Sequence, residues 1–218
     1  MSGAGKAAAL ALALLVPGAA TAQEVTIAAL GDSLTQGYGL VQQDGFVPQL
    51  EAALRARGHD VEILNAGVSG DTTAGGLSRV DWTLTPEVDA MIVALGGNDL
   101  LRGIPPEASR ANLDGILQAA QDAGVEVLLV GLEAPGNYGP AYKADFDAMY
   151  PDLAEAYGAL HVDSFLGALS EAAETDPEAA LGSYMQPEGI HPNAQGVGLI
   201  VEALGPEVER LIARVTQS

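Results

Sequence analysis

The stretch VDAMIVALGG, Val88 to Gly97, constrains the fold more than any other part of the chain. It is apolar almost without interruption, short, and closed by paired glycines. A half-exposed strand alternates apolar with polar residues, and an amphipathic helix repeats about every 3.6, so this run reads as a strand covered on both faces. Its neighbours fit that reading. EVTIAAL (24–30), DVEILNAG (60–67), VEVLLVGL (125–132) and ALHVDS (159–164) read as further strands. Between them lie four helical patterns: FVPQLEAALRARG (46–58), a short stretch from Thr73 to Trp82, PEASRANLDGILQAAQDAG (106–124) and YKADFDAMYPDLAEAYG (142–158). PNAQGVGLIVEALGPEVERLIARV (192–215) is the last helix, opened by Pro192 and carrying a candidate break at Gly205-Pro206. Strand–helix alternation with short connections predicts an α/β domain, a parallel sheet with helices on both faces.

The first residues read as an address rather than as fold. MSGAGK carries one Lys, AAALALALL is a short apolar core, and ATA before Gln23 supplies a small-residue cleavage pattern. The run is too short and Ala-rich for a membrane span. A signal peptide cleaved after Ala22 is therefore expected, leaving residues 23–218 as a single exported domain, periplasmic or secreted. The chain has no Cys, so it forms no disulfide and must rest on its core, for which 48% hydrophobic residues suffice. Its net charge is −20, with only nine Lys and Arg. That excludes nucleic acid as a partner, disfavours passive adhesion to anionic membranes, and reads most simply as a solubilising surface.

In doubly wound sheets ligands bind beyond the C-terminal strand ends, where strand order reverses. Polar knots stand at three such ends: GDSLT (31–35), NAGVSGDTT (65–73) and GGND (96–99). A dinucleotide site would need G-x-G-x-x-G and an acid further on, and a phosphate loop would need G-x-x-x-x-G-K-[ST]; both are missing. The three His are widely spaced and form no metal-ligand pattern. Nucleophilic catalysis remains, in which a Ser hydroxyl needs a base, usually a His held by a carboxylate. His59 reads as a surface turn residue and His161 as a packed strand residue. His191, in the loop PEGIHPN (187–193) ahead of a helix and three residues after Glu188, is the base candidate. Blander roles remain open: Ser33 as a helix N-cap, Gly70 as a turn glycine, Asn98 as a brace for Gly96-Gly97. Asp32, Asp71 and Asp99 read as loop pins that accept backbone N–H bonds, Asp32 having the best chance of also tuning a site.

The four blocks GDSLT, NAGVSGDT, GGND and EGIHPN, in that order, resemble the SGNH (GDSL-type) hydrolases. The likeness is greatest to their secreted thioesterase I / lysophospholipase / arylesterase branch. It continues through LLRGIPPEASRANL and APGNYGPAYKADFDAMYPDLA, and so covers nearly all of residues 23–218. It implies a three-layer α/β/α sandwich with a flavodoxin-like, doubly wound, parallel five-stranded sheet. It implies Ser33 as nucleophile, His191 as base, and an oxyanion hole made by the N–H groups of Ser33 and Gly70 with the Asn98 amide. No cofactor or metal is implied, and the substrate would be a small-molecule ester, thioester or lysolipid, handled by a monomer.

One departure stands out. The family has Asp three residues before the His, whereas this chain has Glu188, whose extra methylene shifts the carboxylate unless the loop adapts. Glu188 is expected to orient His191; a backbone carbonyl, another acid, or a weaker Ser–His dyad are the alternatives. The segment after Asn98 corresponds to the loop over the family's acyl site, so Leu100, Leu101 and Ile104 are expected to form apolar wall, with Arg102 among few cations near the mouth. Tyr138 and Tyr142 are expected on the other side. Two other classes share the fold: a carbohydrate O-deacetylase, which would want open polar subsites, and a non-catalytic binding protein, which would be expected to have lost Ser33, Asn98 or His191.

Overall fold

A computed structural model describes residues 24–175 and 182–217 of the chain; the expected leader, residues 1–22, lies outside them. The apolar run becomes the strand β3 (Ala90–Ala94), buried at every position. Its residues alternate between two cores, as the two-residue period of a strand dictates. Ala90, Ile92 and Ala94 meet Phe46, Leu50, Ile200 and Leu204 on one face, while Met91 and Val93 meet Val80, Leu113, Ile116 and Phe146 on the other. Both faces are dry, which is why the sequence shows no polar alternation there.

Four more strands, β1 (Val25–Gly31), β2 (Val61–Gly67), β4 (Glu126–Val130) and β5 (Leu160–Val162), pair in parallel with order β2-β1-β3-β4-β5. Helices whose bounds lie within the described residues include α1 (Ser33–Gln36), α2 (Phe46–Ala56), α3 (Thr73–Thr83), α4 (Gly97–Leu101), α5 (Pro106–Ala123), α6 (Pro140–Tyr157), α7 (Gly167–Thr175) and α8 (Ala194–Gln217). Helices α2 and α8 cover one face; α3, α5 and α6 cover the other. The sheet and its layers are those of the doubly wound α/β sandwich. None of the described helices is long and apolar enough to cross a membrane.

Strand register places the site. Gly31 pairs with both Gly67 and Ala94, so β1, β2 and β3 end level with one another. Strand order reverses between β1 and β3, and the loops carrying Ser33 and Asn98 leave from those two strands, flanking the crevice such a reversal opens. Gly67 lets α1 sit directly on the end of β2: a Cβ there would run into the backbone of Gln36.

Two expectations about α8 need correcting. It starts at Ala194, not Pro192, because Asn193 Oδ1 accepts the N–H groups of Gln195 and Gly196 at 2.9 and 3.0 Å, while Pro192 pairs with Met185 in a bridge. It also runs unbroken through Gly205-Pro206. An interior Pro costs about 3 kcal/mol, but Leu204, Val208 and Leu211 are all buried around it. At about 1.5–3 kcal/mol for each such side chain, the packing outweighs the lost hydrogen bond. The short helices α1, α4 and α7 lie outside the helical patterns read from the sequence, although a helix after Ser33 was among the open readings.

Candidate active site

Ser33 opens α1, and the cap of that helix is Asp32, whose Oδ1 accepts the Leu34 N–H at 3.0 Å. Ser33 is thus not the N-cap, and its hydroxyl is directed elsewhere. Its Oγ lies 2.9 Å from His191 Nε2. On the other side of the ring, Nδ1 lies 2.9 Å from Glu188 Oε1, which also accepts the His191 backbone N–H at 3.2 Å. A carboxylate can only accept, so the neutral ring carries its proton on Nδ1 and offers Nε2 to the serine hydroxyl.

The Glu188 side chain therefore reaches the imidazole directly. The loop makes room for it: Gly189 adopts φ +73°, its N–H donates to Gln186 O, and Gln186 N–H donates to His191 O at 2.8 Å. Gln186 Nε2 donates to Tyr38 O at 2.7 Å and to Pro192 O at 3.0 Å, tying this loop to the segment after α1. The Tyr38 ring lies over His191 at 4.8 Å between centroids. The His191 side chain is 16% exposed and that of Glu188 39%. The N–H of Glu188 itself, then the ring and N–H of His191, hold the Glu188 carboxyl below its ordinary range.

Gly70 sits in the turn Val68–Asp71, closed by the Asp71 N–H on Val68 O at 3.1 Å. Its φ of +85° is what a type II turn requires at its third residue, and only glycine adopts it without strain. Arg79 holds the turn from beneath, donating to Asp71 Oδ2, Ala66 O and Gly31 O at 2.6, 2.7 and 2.9 Å. Asp71 thus pins its loop through a guanidinium rather than through the Asx-type bond expected of it. Asn98 lies in α4, and its Nδ2 donates to Asp32 Oδ2 at 3.3 Å. Burial pushes the Asp32 carboxyl above its ordinary range, against the pull of the Leu34 N–H and the Asn98 amide. Asp99, fully buried, accepts from Thr73 N and Oγ1 and from Ser109 Oγ, fastening α4 to α3 and α5. Among the described residues, no acceptor engages the N–H of Ser33 or Gly70.

These groups line a cavity of about 330 Å³. Ser33, Gly70, Asn98 and His191 share it with Leu100 and Leu101. Ile104 and Tyr138, expected in the wall, are not among its lining residues. Tyr142 Oη donates to Ile104 O at 2.8 Å, stapling that segment onto α6, and Tyr138 packs on Tyr142 at 4.9 Å. The wall also includes Leu34, Tyr38, Leu132, Leu166 and Ile190, with Ser69 and Glu133 as polar members, which the sequence reading missed. Leu34 and Ile190 adjoin Ser33 and His191 in sequence, a signal that was available. Leu132 and Leu166 had none, since a leucine facing a cavity and one facing a core look alike. Among the described residues no cluster of His, Cys, Asp and Glu suits a metal ion.

The family model of the GDSL-like lipase/acylhydrolase family matches residues 29–199. The chain is 36% identical over 204 residues to esterase TesA of Pseudomonas aeruginosa, covering 93% of this chain and 96% of that one. It is 33% identical over 202 residues to thioesterase 1/protease 1/lysophospholipase L1 of Escherichia coli K12, covering 92% and 90%. The crystal structure of AlinE4, an SGNH-hydrolase family esterase, superposes with a TM-score of 0.69 at 43% identity, over 87% of this chain and 97% of that one.

Proposed function

The chain belongs to the GDSL-like lipase/acylhydrolase family, and we propose that it hydrolyses carboxylic esters through an acyl-Ser33 intermediate. The observation that carries this is the relay Ser33 Oγ–His191 Nε2, His191 Nδ1–Glu188 Oε1, both at 2.9 Å, on the wall of a largely aliphatic cavity. A serine hydroxyl becomes nucleophilic when an oriented imidazole takes its proton.

Ser33 Oγ attacks the acyl carbon while its proton passes to His191 Nε2. Glu188 keeps the other ring proton in place and stabilises the imidazolium. The carbonyl oxygen, now an oxyanion, lies among the Ser33 N–H, the Gly70 N–H and the Asn98 amide. As the tetrahedral species collapses, His191 delivers its proton to the leaving oxygen or sulfur. Water then enters, gives its proton to His191 and attacks the acyl carbon; collapse returns a proton to Ser33 and frees the acid.

The substrate class follows from the walls. Leu34, Leu100, Leu132 and Leu166 offer an acyl chain apolar contact. Outside the Ser33, Asn98 and His191 group and its Asp32 cap, few polar side chains reach the wall, Ser69 and Glu133 among them, a balance that favours acyl esters, thioesters and lysolipids over carbohydrate acetates. Residues 1–22 carry the pattern of an export leader, so we place the enzyme outside the cytoplasm as a single-domain monomer. The test is kcat/KM on phenyl acetate, p-nitrophenyl esters of rising chain length, palmitoyl-CoA and a lysophospholipid, with Ser33→Ala as blank. Ser33-dependent turnover on this panel is expected. Turnover confined to a sugar acetate would replace the reading with a deacetylase, and none at all would remove it.

A further inference from the structure

Resting on that ester-hydrolase reading, we propose that Arg102 is a positioning residue of the oxyanion hole, locking the spacing between its Gly70 and Asn98 donors. Three donors from three separate strand-end loops must converge on one oxygen, and such a site works only if the donors are fixed before charge develops. Asp32 joins the Ser33 helix to the Asn98 amide. Arg79 joins the Gly70 turn to the end of β1. The segments of the remaining pair are fastened by Asp99, which accepts from Thr73 three residues past Gly70, and at Gly70 itself by Arg102.

That residue touches both ends at the residues concerned. Its backbone N–H donates to Asn98 O at 3.2 Å, closing the turn of α4 on the donor-bearing residue itself. Its guanidinium Nη2 donates to Gly70 O at 2.8 Å. Gly70 is in the left-handed region, and its carbonyl shares a peptide plane with the Asp71 N–H that closes the turn on Val68 O, so Arg102 anchors the turn that presents the Gly70 N–H rather than that N–H directly. The use of the charge is itself informative. Among the described residues every other Arg, and Lys143, forms an ion pair with a carboxylate; Arg102 forms none and bonds instead to a backbone carbonyl. A cation at the mouth could alternatively read the charge of a substrate, and the test separates the two roles.

The experiment compares wild type with Arg102→Ala and Arg102→Lys on two aryl esters, p-nitrophenyl butyrate and its analogue with a carboxylate on the leaving phenol. Each enzyme is also titrated with an alkyl trifluoromethyl ketone. That inhibitor takes Ser33 Oγ onto its carbonyl carbon, passes the serine proton to His191 and leaves a tetrahedral oxyanion in the hole. Removing a whole oxyanion donor costs about a hundred- to a thousandfold, so mispositioning one should cost about tenfold. Arg102→Ala is expected to lower kcat about tenfold on both esters with KM changed less than about twofold. Its ketone Ki should weaken by the same factor, and Arg102→Lys, which keeps the charge and a donor, should recover part of both. Three results would overturn the proposal: unchanged kcat in Arg102→Ala, a rise in KM alone, or a loss confined to the carboxylate-bearing ester, which would make Arg102 a charge reader. If wild type turns over neither ester while Ser33→Ala matches it, the ester-hydrolase reading itself fails.

Discussion

The two halves of the site are built differently. Ser33, Gly70 and Asn98 follow the level ends of three adjacent strands and are held by side chains reaching across the fold: Asp32, Arg79 and the fully buried Asp99. His191 stands on a surface loop whose bonds are mostly local, from Glu188, Gln186 and Asn193, and whose neighbour Ile190 is 50% exposed. Gln186 links that loop to Tyr38 on the nucleophile's side. Strand ends held in register by the sheet suit groups that must be fixed in advance, as the donors of an oxyanion hole must be. A loop can shift to suit a longer acid, and here Glu188 at its tip meets the imidazole at 2.9 Å.

If Glu188 orients the imidazole, Glu188→Gln should lower kcat about ten-thousandfold, the cost of removing the acid's charge in other serine triads. A loss below tenfold would make the site a Ser–His dyad. The same variant carries a pH signature. The folded Glu188 carboxyl is held below its ordinary range, so its contribution to stability is full above that range and is lost as pH falls through the lower folded value. The Tm difference between wild type and Glu188→Gln should therefore be present at neutral pH and vanish in acid. Asn98→Ala should lower kcat by about a hundred- to a thousandfold while leaving KM nearly unchanged, since it removes a donor that acts in the transition state. Glu188→Asp tests how far the loop adapts. Withdrawing the carboxylate by one methylene should cost about tenfold in kcat, because a misplaced orienting group forfeits part of its effect. Full activity would show that the loop follows the shorter acid. Gln186→Ala, the smallest effect, removes the bonds to Tyr38 O and Pro192 O. It should lower kcat/KM about fivefold, the equivalent of ~1 kcal/mol for the link to Tyr38, the bond to Pro192 being internal to the loop. No change there would mean the halves hold their places without that link.

The sequence carried the sheet because a strand covered on both faces must be apolar at every position, as Ala90 to Ala94 are. It drew attention to Ser33, Gly70, Asn98 and His191 because each stands in a block of unusual polarity beside a strand end or helix start, and the fold brings the four to one cavity. It did not carry α1 or α4, helices of four and five residues, which are too short to form on their own and exist through capping and tertiary contact. Nor could it separate Leu132 and Leu166 from core leucines, or show that the Tyr142–Ile104 bond draws Ile104 away from the cavity. Arg79 looked like any surface arginine and Arg102 only like a cation near the mouth; their contacts reach carbonyls 48 and 32 residues away.

The central claim is a covalent acyl-enzyme at Ser33. It is tested most directly by quenching the enzyme in acid during turnover of a slow ester, then locating the adduct by peptide mass spectrometry. The acyl mass is expected on the peptide containing Ser33 in the wild type and is expected to be absent from Ser33→Ala. An adduct on another residue, or turnover that persists in Ser33→Ala, would contradict it.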